Sequence, residues 1–329
     1  MNRRQFMRAA AVGGATCLGS RPRVGAAEAN PETTRLRLAQ IAGICVAPQY
    51  IAEDLLKAEG FREVEYVQAG SGVRTYEDMA AGKVDISMAF VAPFILLVDS
   101  GIPIALLGGV HVGCFELFGT DRIRTIRDLK AKTVAVPELG SAHHIFLASM
   151  ASYVGVNPSK DINFVTHPVA DSARLLADKK VDALMAFPPV AQELRAKKLG
   201  HVVVNSALDR PWSQYFCCIV ASNREFVRKN PVATKRALRA ILKATNVCAL
   251  EPGRAARMVA DRGYDYDYAV QTMKELPYDK WREYDPEDTT RFYALRLHEA
   301  GMIKSSPQKI LAQAADWRFF NELKKELKA

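Results

Sequence analysis

The chain has 329 residues, 49% hydrophobic and 25% charged, with a formal net charge of +9. That charge falls to +4 once the arginines at 3, 4, 8, 21 and 23 are set aside, and what remains is spread over mixed acids and bases, which excludes a nucleic-acid partner while suiting an anionic ligand. A mature portion of roughly 300 residues suffices for one large or two medium domains, and none of it reads as a membrane span: the greasiest stretch, Ile86 to Leu97, carries Pro93 and ends beside Asp99.

Residues 1–27 read as an export signal. Arg3-Arg4-Gln5-Phe6, followed by Met7, resembles the twin-arginine address. A weakly apolar run, Ala9 to Leu18, comes next, and Gly25-Ala26-Ala27 places cleavage after Ala26 or Ala27. Cys17 raises a lipoprotein alternative, but Gly14-Ala15-Thr16 is a poor match to the apolar-small-small triplet such a cysteine needs. The expected destination is therefore the periplasm. Beyond the signal stand Cys45, Cys114, Cys217, Cys218 and Cys248, an odd set at irregular spacing that is not a disulfide framework. They read mostly as small core residues.

The body of the chain alternates strands and helices, the pattern of an α/β protein. Leu36 to Gln40 reads as a strand, Pro48 to Glu59 as a helix and Val64 to Gln68 as a strand. Gly70-Ser71-Gly72 then precedes a helix from Val73 to Ala81, and Val84 to Met88, Val91 to Asp99 and Pro103 to His111 read as strand, helix and strand. Cys114 to Phe118 is a mostly apolar strand leading to a charged linker, Thr120 to Arg127. A second unit comes next: a strand ending at Val136-Pro137, a helix opened by Gly140-Ser141, and strands at Ile162 to Thr166, Ala183 to Phe187 and His201 to Val204. After a last strand, Cys217 to Ala221, the chain is expected to be almost entirely helical. Two α/β halves with a helical return imply two lobes and a cleft, where ligands meet strand and helix ends.

Two small-residue turns open helices, one per half: Gly70-Ser71-Gly72 and Gly140-Ser141. Free N–H groups at a helix start, with a serine hydroxyl, make an anion or polar-group site, although such turns also serve simply as caps. His143, in the first turn, is expected to act as a neutral hydrogen-bonding group, and His144 points about 100° away around the helix. His111, at a strand end, is open to a ligand contact or to a satisfied core position. Phe90 and Phe187 each follow a strand after a Val-Asp pair, Val84-Asp85 and Val181-Asp182, and serve either as aromatic walls or as core packing. Gly43 adds a third place where backbone lines the cleft. Tyr264, Tyr266, Tyr268 and Tyr278 read as a wet aromatic surface. Catalytic motifs are missing: there is no phosphate loop, no Gly-x-Ser-x-Gly elbow and no Cys-x-x-Cys. Cys217 and Cys218, adjacent on a strand, are expected to face opposite ways, one in the core and one at an interface. No metal site and no cofactor are expected.

Asp128-Leu129-Lys130, Thr133-Val134-Ala135-Val136-Pro137, Gly140-Ser141 and His143, together with Gly82-Lys83-Val84-Asp85, Lys180-Val181-Asp182 and Phe226 before Asn230-Pro231, resemble the binding proteins for nitrate, sulfonates, taurine and thiamine-pyrimidine precursors. The resemblance implies a two-lobed periplasmic-binding-protein fold of the second type. The first lobe would be 33–121 plus 222–329 and the second 122–221, with crossovers near Thr120 to Arg127 and Cys218 to Asn223. It also implies a monomer that delivers a small-molecule ligand to the membrane permease of an ABC transporter and its ATPase. Cleft residues carried over are Gly43, Ser71, Phe90, Ser141, His143 and Phe187; Gly72, Gly140 and His111 are added from the turn and strand-end readings. Many relatives have Trp at the position of Phe187. The alternatives are a pyrimidine-synthase-like enzyme of the same fold and a periplasmic sensor partner.

Overall fold

Burial separates strands covered on both faces from those left open. The computed structural model describes residues 28–68 and 74–328, so the expected signal at 1–27 and the turn holding Ser71 and Gly72 lie outside the described residues. The folded unit begins at Pro31. Its strands are β1 Arg35–Gln40, β2 Glu63–Gln68, β3 Ile86–Phe90, β4 Ile104–Val112, β5 Glu116–Gly119, β6 Lys132–Val136, β7 Ile162–Thr166, β8 Ala183–Ala186, β9 His201–Asn205 and β10 Phe216–Asn223. β3, β4 and β10 are buried at every residue, as strands covered on both faces must be. β2 has only exposed and half-buried positions, and β9 adds a single buried one, Val204.

Two five-stranded sheets result, ordered β2-β1-β3-β10-β4 and β7-β6-β8-β5-β9. Each has a parallel trio flanked by one antiparallel strand in the fourth position, β10 in the first sheet and β5 in the second. The repeated Val-Asp pairs perform the same task in both. Asp85 accepts from the Arg37 N–H at 2.8 Å while its own N–H reaches the Arg37 carbonyl, locking β3 to β1. Asp182 accepts from the Thr133 N–H at 3.0 Å and donates back to the Thr133 carbonyl, locking β8 to β6.

The chain leaves the first sheet between β4 and β5, at 113–115, and returns between β9 and β10, at 206–215. Both passages come before the crossovers expected at Thr120 to Arg127 and Cys218 to Asn223. The cause is long-range pairing: β5 bonds to β8 and β9, and β10 lies between β3 and β4. A charged linker after β5 says nothing about which sheet β5 joins.

The second sheet divides its side chains by parity. Phe118, Ala135, Leu184 and Ala186 face Leu176, Ala191 and Leu194 on one side, while Leu117, Val134, Ala183 and Met185 join the large core shared with the first sheet. The helical return covers the exposed flank of β4. The Asp316 N–H donates to the Leu106 carbonyl, and Phe320 of the helix Arg318–Glu326 lies so close to Gly108 that an added Cβ would sit 2.4 Å from its ring. The long helix Pro231–Leu250 buries Ala233, Ala237, Leu238, Ile241, Ala244 and Cys248 along one stripe. Its first N–H groups, Val232 and Ala233, donate to the Glu32 carboxylate.

Candidate functional site

The carboxyl ends of β1 and β8, one from each sheet, meet directly. The Ile44 N–H donates to the Pro188 carbonyl at 3.1 Å. Gly43 fits only because it has no side chain: a Cβ there would lie 2.8 Å from the Phe187 ring, and its φ of 153° is one that L side chains rarely adopt. Its N–H is taken by the Tyr264 hydroxyl at 2.8 Å. Behind this seam lies an aromatic cluster centred on Phe115, whose ring is 5.4 Å from Phe90, 5.2 Å from Phe146, 5.4 Å from Phe187 and 5.6 Å from His143. His143 also lies 4.8 Å from Phe187. Phe90, Phe115 and Phe146 are buried, whereas Phe187 is half-buried and forms the accessible edge.

Gly43, Phe90, His143 and Phe187 are thus gathered at one place. Gly140 and Ser141 stand beside it, but their donors are largely spent internally. The Ser141 hydroxyl accepts from the His144 N–H, the Gly140 N–H goes to His144 Nδ1, and the Ser141 N–H goes to the Glu138 carbonyl. His144 turns away to Phe164, 4.7 Å between rings. Burial pushes the His143 pKa down to about 4, so its imidazole is neutral through desolvation of the ring.

His111 belongs to a different cluster. It sits opposite Cys218 in the β4–β10 ladder, fully buried, with Nδ1 3.2 Å from the Val112 carbonyl and its ring 5.2 Å from Tyr278. The sulfurs of Cys45, Cys114 and Cys218 lie within 4.8 Å of one another, and Cys114 Sγ is 3.2 Å from Cys217 Sγ. The expectation of one core and one interface thiol at 217 and 218 fails. The ladder shifts register between Phe216 and Cys218, and both cysteines are 3% exposed and interact with Cys114. Hydrogen bonds from Cys114, Cys217 and Cys45, with the charge of His111, hold the Cys218 pKa well below the usual thiol range against burial. Burial opposes a charge on His111, but the Cys218 thiolate outweighs it and raises the His111 pKa.

Tyr278 is buried and donates to the Cys45 carbonyl at 2.9 Å, and Tyr264 is the acceptor for Gly43, so two of the four tyrosines read as surface are built into these clusters. Sequence reasoning missed Phe115 and the convergence of the thiols. They lie at or just beyond strand ends, Cys45 after β1, Cys114 and Phe115 after β4 and Cys217 and Cys218 at the start of β10, and only the strand order shows that those ends meet.

A cavity of about 340 Å³ borders the thiols, lined by Cys114, Glu116, Pro188, Gln192, Arg195 and Glu275 among others. Arg195 reaches Glu275 at 2.6 Å and Glu116 at 3.6 Å. Burial pushes the Glu116 carboxyl up to about 7, opposed by Arg195 and assisted by Glu275. No helix among the described residues is long and apolar enough to cross a membrane.

No curated protein matches the sequence significantly. Solved structures resemble the fold across most of its length. The periplasmic nitrate-binding protein NrtA from Synechocystis PCC 6803 superposes with a TM-score of 0.75 at 15% identity, covering 91% of this chain and 90% of that one. The alkanesulfonate-binding protein SsuA from Xanthomonas axonopodis pv. citri, bound to MOPS, gives 0.69 at 16%, covering 87% and 99%. The Candida albicans CA3427 product, described as having the generic periplasmic binding protein fold, gives 0.67 at 17%, covering 86% and 96%. The fold is therefore the two-lobed periplasmic-binding-protein fold. Residues 29–261 match the NMT1-like family, and because that match takes in most of the sequence, the chain belongs to the NMT1-like family.

Proposed function

We propose that this chain is the exported solute-capture subunit of an ABC uptake transporter, closing two lobes over one small molecule and presenting it to a permease. The observation that carries the reading is the seam itself. Gly43 and Ile44 from the first sheet touch Phe187 and Pro188 from the second at the carboxyl ends of parallel strands, the place where open α/β sheets take ligands. The NMT1-like match and the likeness to nitrate- and sulfonate-binding proteins support it. The lobes would be two bodies built on the two sheets, exchanging chain at 113–115 and 206–215.

Within the expected range of small anionic or aromatic and heterocyclic solutes, the seam favours a flat ring. The half-buried Phe187 offers a ring for stacking, backed by a buried, neutral His143, whereas the Gly140-Ser141 turn has committed three N–H groups internally, to the Glu138 carbonyl, the His144 ring and the Ser141 hydroxyl. Export by the twin-arginine route, a monomeric state, and ligand contacts from Ser71, Gly72, Gly140 and Ser141 belong to this same proposal, those from Gly140 and Ser141 requiring the turn to give up internal hydrogen bonds. A thermal-shift screen of the full chain tests it, using nitrate, an alkyl sulfonate, benzenesulfonate, benzoate and an aminopyrimidine. One ring-bearing class should raise the unfolding midpoint by mass action. No shift with any probe, or a bound molecule recovered chemically changed, would transfer the assignment to the enzyme alternative.

A further inference from the structure

The thiols gather beside the seam, and of these only Cys114 lines the cavity that Pro188 also borders. We propose that Cys45, Cys114 and Cys218 form a binding site for one thiophilic closed-shell cation, Zn²⁺ or Cu⁺, with His111 as the available fourth ligand. Their three sulfurs already lie within 4.8 Å of one another and all are buried. A metal–sulfur bond of about 2.3 Å in tetrahedral geometry sets neighbouring sulfurs about 3.8 Å apart, so the three sulfurs need only a small contraction, while His111, whose ring nitrogens fall outside the 4.8 Å group, would have to move closer to complete the site. The second, independent observation is His111. It is completely buried, its Nδ1 is engaged by the Val112 carbonyl, and its Nε2 has no hydrogen-bond partner among the described residues. An imidazole whose Nδ1–H is fixed by a backbone carbonyl presents the Nε2 lone pair as a ligand. That nitrogen belongs to the residue paired with Cys218 across the ladder.

The donors come from three separate stretches: the 3-10 turn Ile44–Val46 after β1, the passage from β4 to β5, and β10. A cation would tie together the turn after β1, the passage from β4 to β5 and the start of β10, so binding should stabilise the fold whatever solute the seam takes. Soft thiolates select Cu⁺ or Zn²⁺ over oxygen-seeking cations. Three sulfurs alone satisfy trigonal Cu⁺, and three sulfurs with one imidazole make a closed tetrahedral Zn²⁺ site. Cys217, 3.2 Å from Cys114, is a neighbour in this arrangement and not a ligand.

The test uses the full chain, reduced with a phosphine and handled without oxygen. It is titrated with Co²⁺ as the reporter for Zn²⁺, with Zn²⁺ itself, and with Cu⁺ against a competing chelator. One ion per chain is expected, with sulfur-to-cobalt charge-transfer absorption and X-ray absorption showing three sulfurs at about 2.3 Å. Cys45→Ser and Cys218→Ser should each weaken binding at least about tenfold, with Cys217→Ser within a few-fold of the parent. His111→Ala separates the two cations: it should weaken Zn²⁺ and leave Cu⁺ unchanged. Where a cysteine variant does not fold, X-ray absorption on the unaltered chain decides alone. Ligation by nitrogen and oxygen only, or failure to retain one ion per chain with either cation, overturns the proposal.

Discussion

His143 and His111 are both buried histidines at strand or helix ends close to where the sheets meet, yet they are driven in opposite directions. Around His143 the neighbours are rings, and burial alone takes its pKa down to about 4. Around His111 the neighbour is Cys218, and burial is overruled by a thiolate. The two regions are interleaved along the chain: Gly43 belongs to the seam and Cys45 to the thiols, Phe115 to the seam and Cys114 to the thiols. Neighbouring residues just beyond a strand end point to different surroundings, so one short segment serves a dry aromatic wall and a polarisable sulfur pocket. Burial by itself does not set a histidine's charge; the partner does.

The largest expected effect that could break this separation is Phe115→Ala. Removing the central ring of the aromatic cluster should cost about 3–5 kcal/mol of stability, measured by urea unfolding. Cobalt uptake by the thiols should stay within a few-fold, and loss of both together would mean that the regions are one. Next is pH. His143 moves from 6.5 to about 4 on burial, so between those values the unfolded chain holds the extra proton. Its contribution is complete above about pH 6.5 and is lost as pH falls toward 4, on the order of 3 kcal/mol in all. Unfolding of the parent and of His143→Gln across that window should show a steeper acid loss in the parent; parallel curves would contradict the burial of this ring. The smallest effect sharpens the contrast within one helix turn. His144→Ala removes the acceptor for the Gly140 N–H and the ring packed on Phe164 and should cost about 1 kcal/mol, with a smaller loss of pH slope than His143→Gln, since burial lowers the His144 pKa as well.

Much of the fold was legible because its signals are local. The strands emerge from apolar runs, and the Val-Asp pairs at 84–85 and 181–182 mark a device that the structure uses twice, each aspartate locking its strand to the one before it in the trio. Sheet membership was not legible. β5 and β10 look alike in isolation, and only their partners put one in each sheet. For the same reason the sequence separates Cys45, Cys114 and Cys218 by long stretches, and nothing local says that three strand ends converge. His143 and Phe187 stand together, 4.8 Å between rings, but the Gly140-Ser141 turn closes on itself through His144, a pairing that helix spacing alone does not reveal.

Capture of a solute at the seam can be measured by calorimetric titration of the full chain with whichever screened probe stabilises it most, beside Phe187→Ala and with native mass spectrometry of the complex. One unaltered molecule per chain, bound at least about tenfold more weakly once the half-buried ring is gone, is the result expected. Equal affinity in Phe187→Ala, or a bound molecule whose mass has changed, would contradict it.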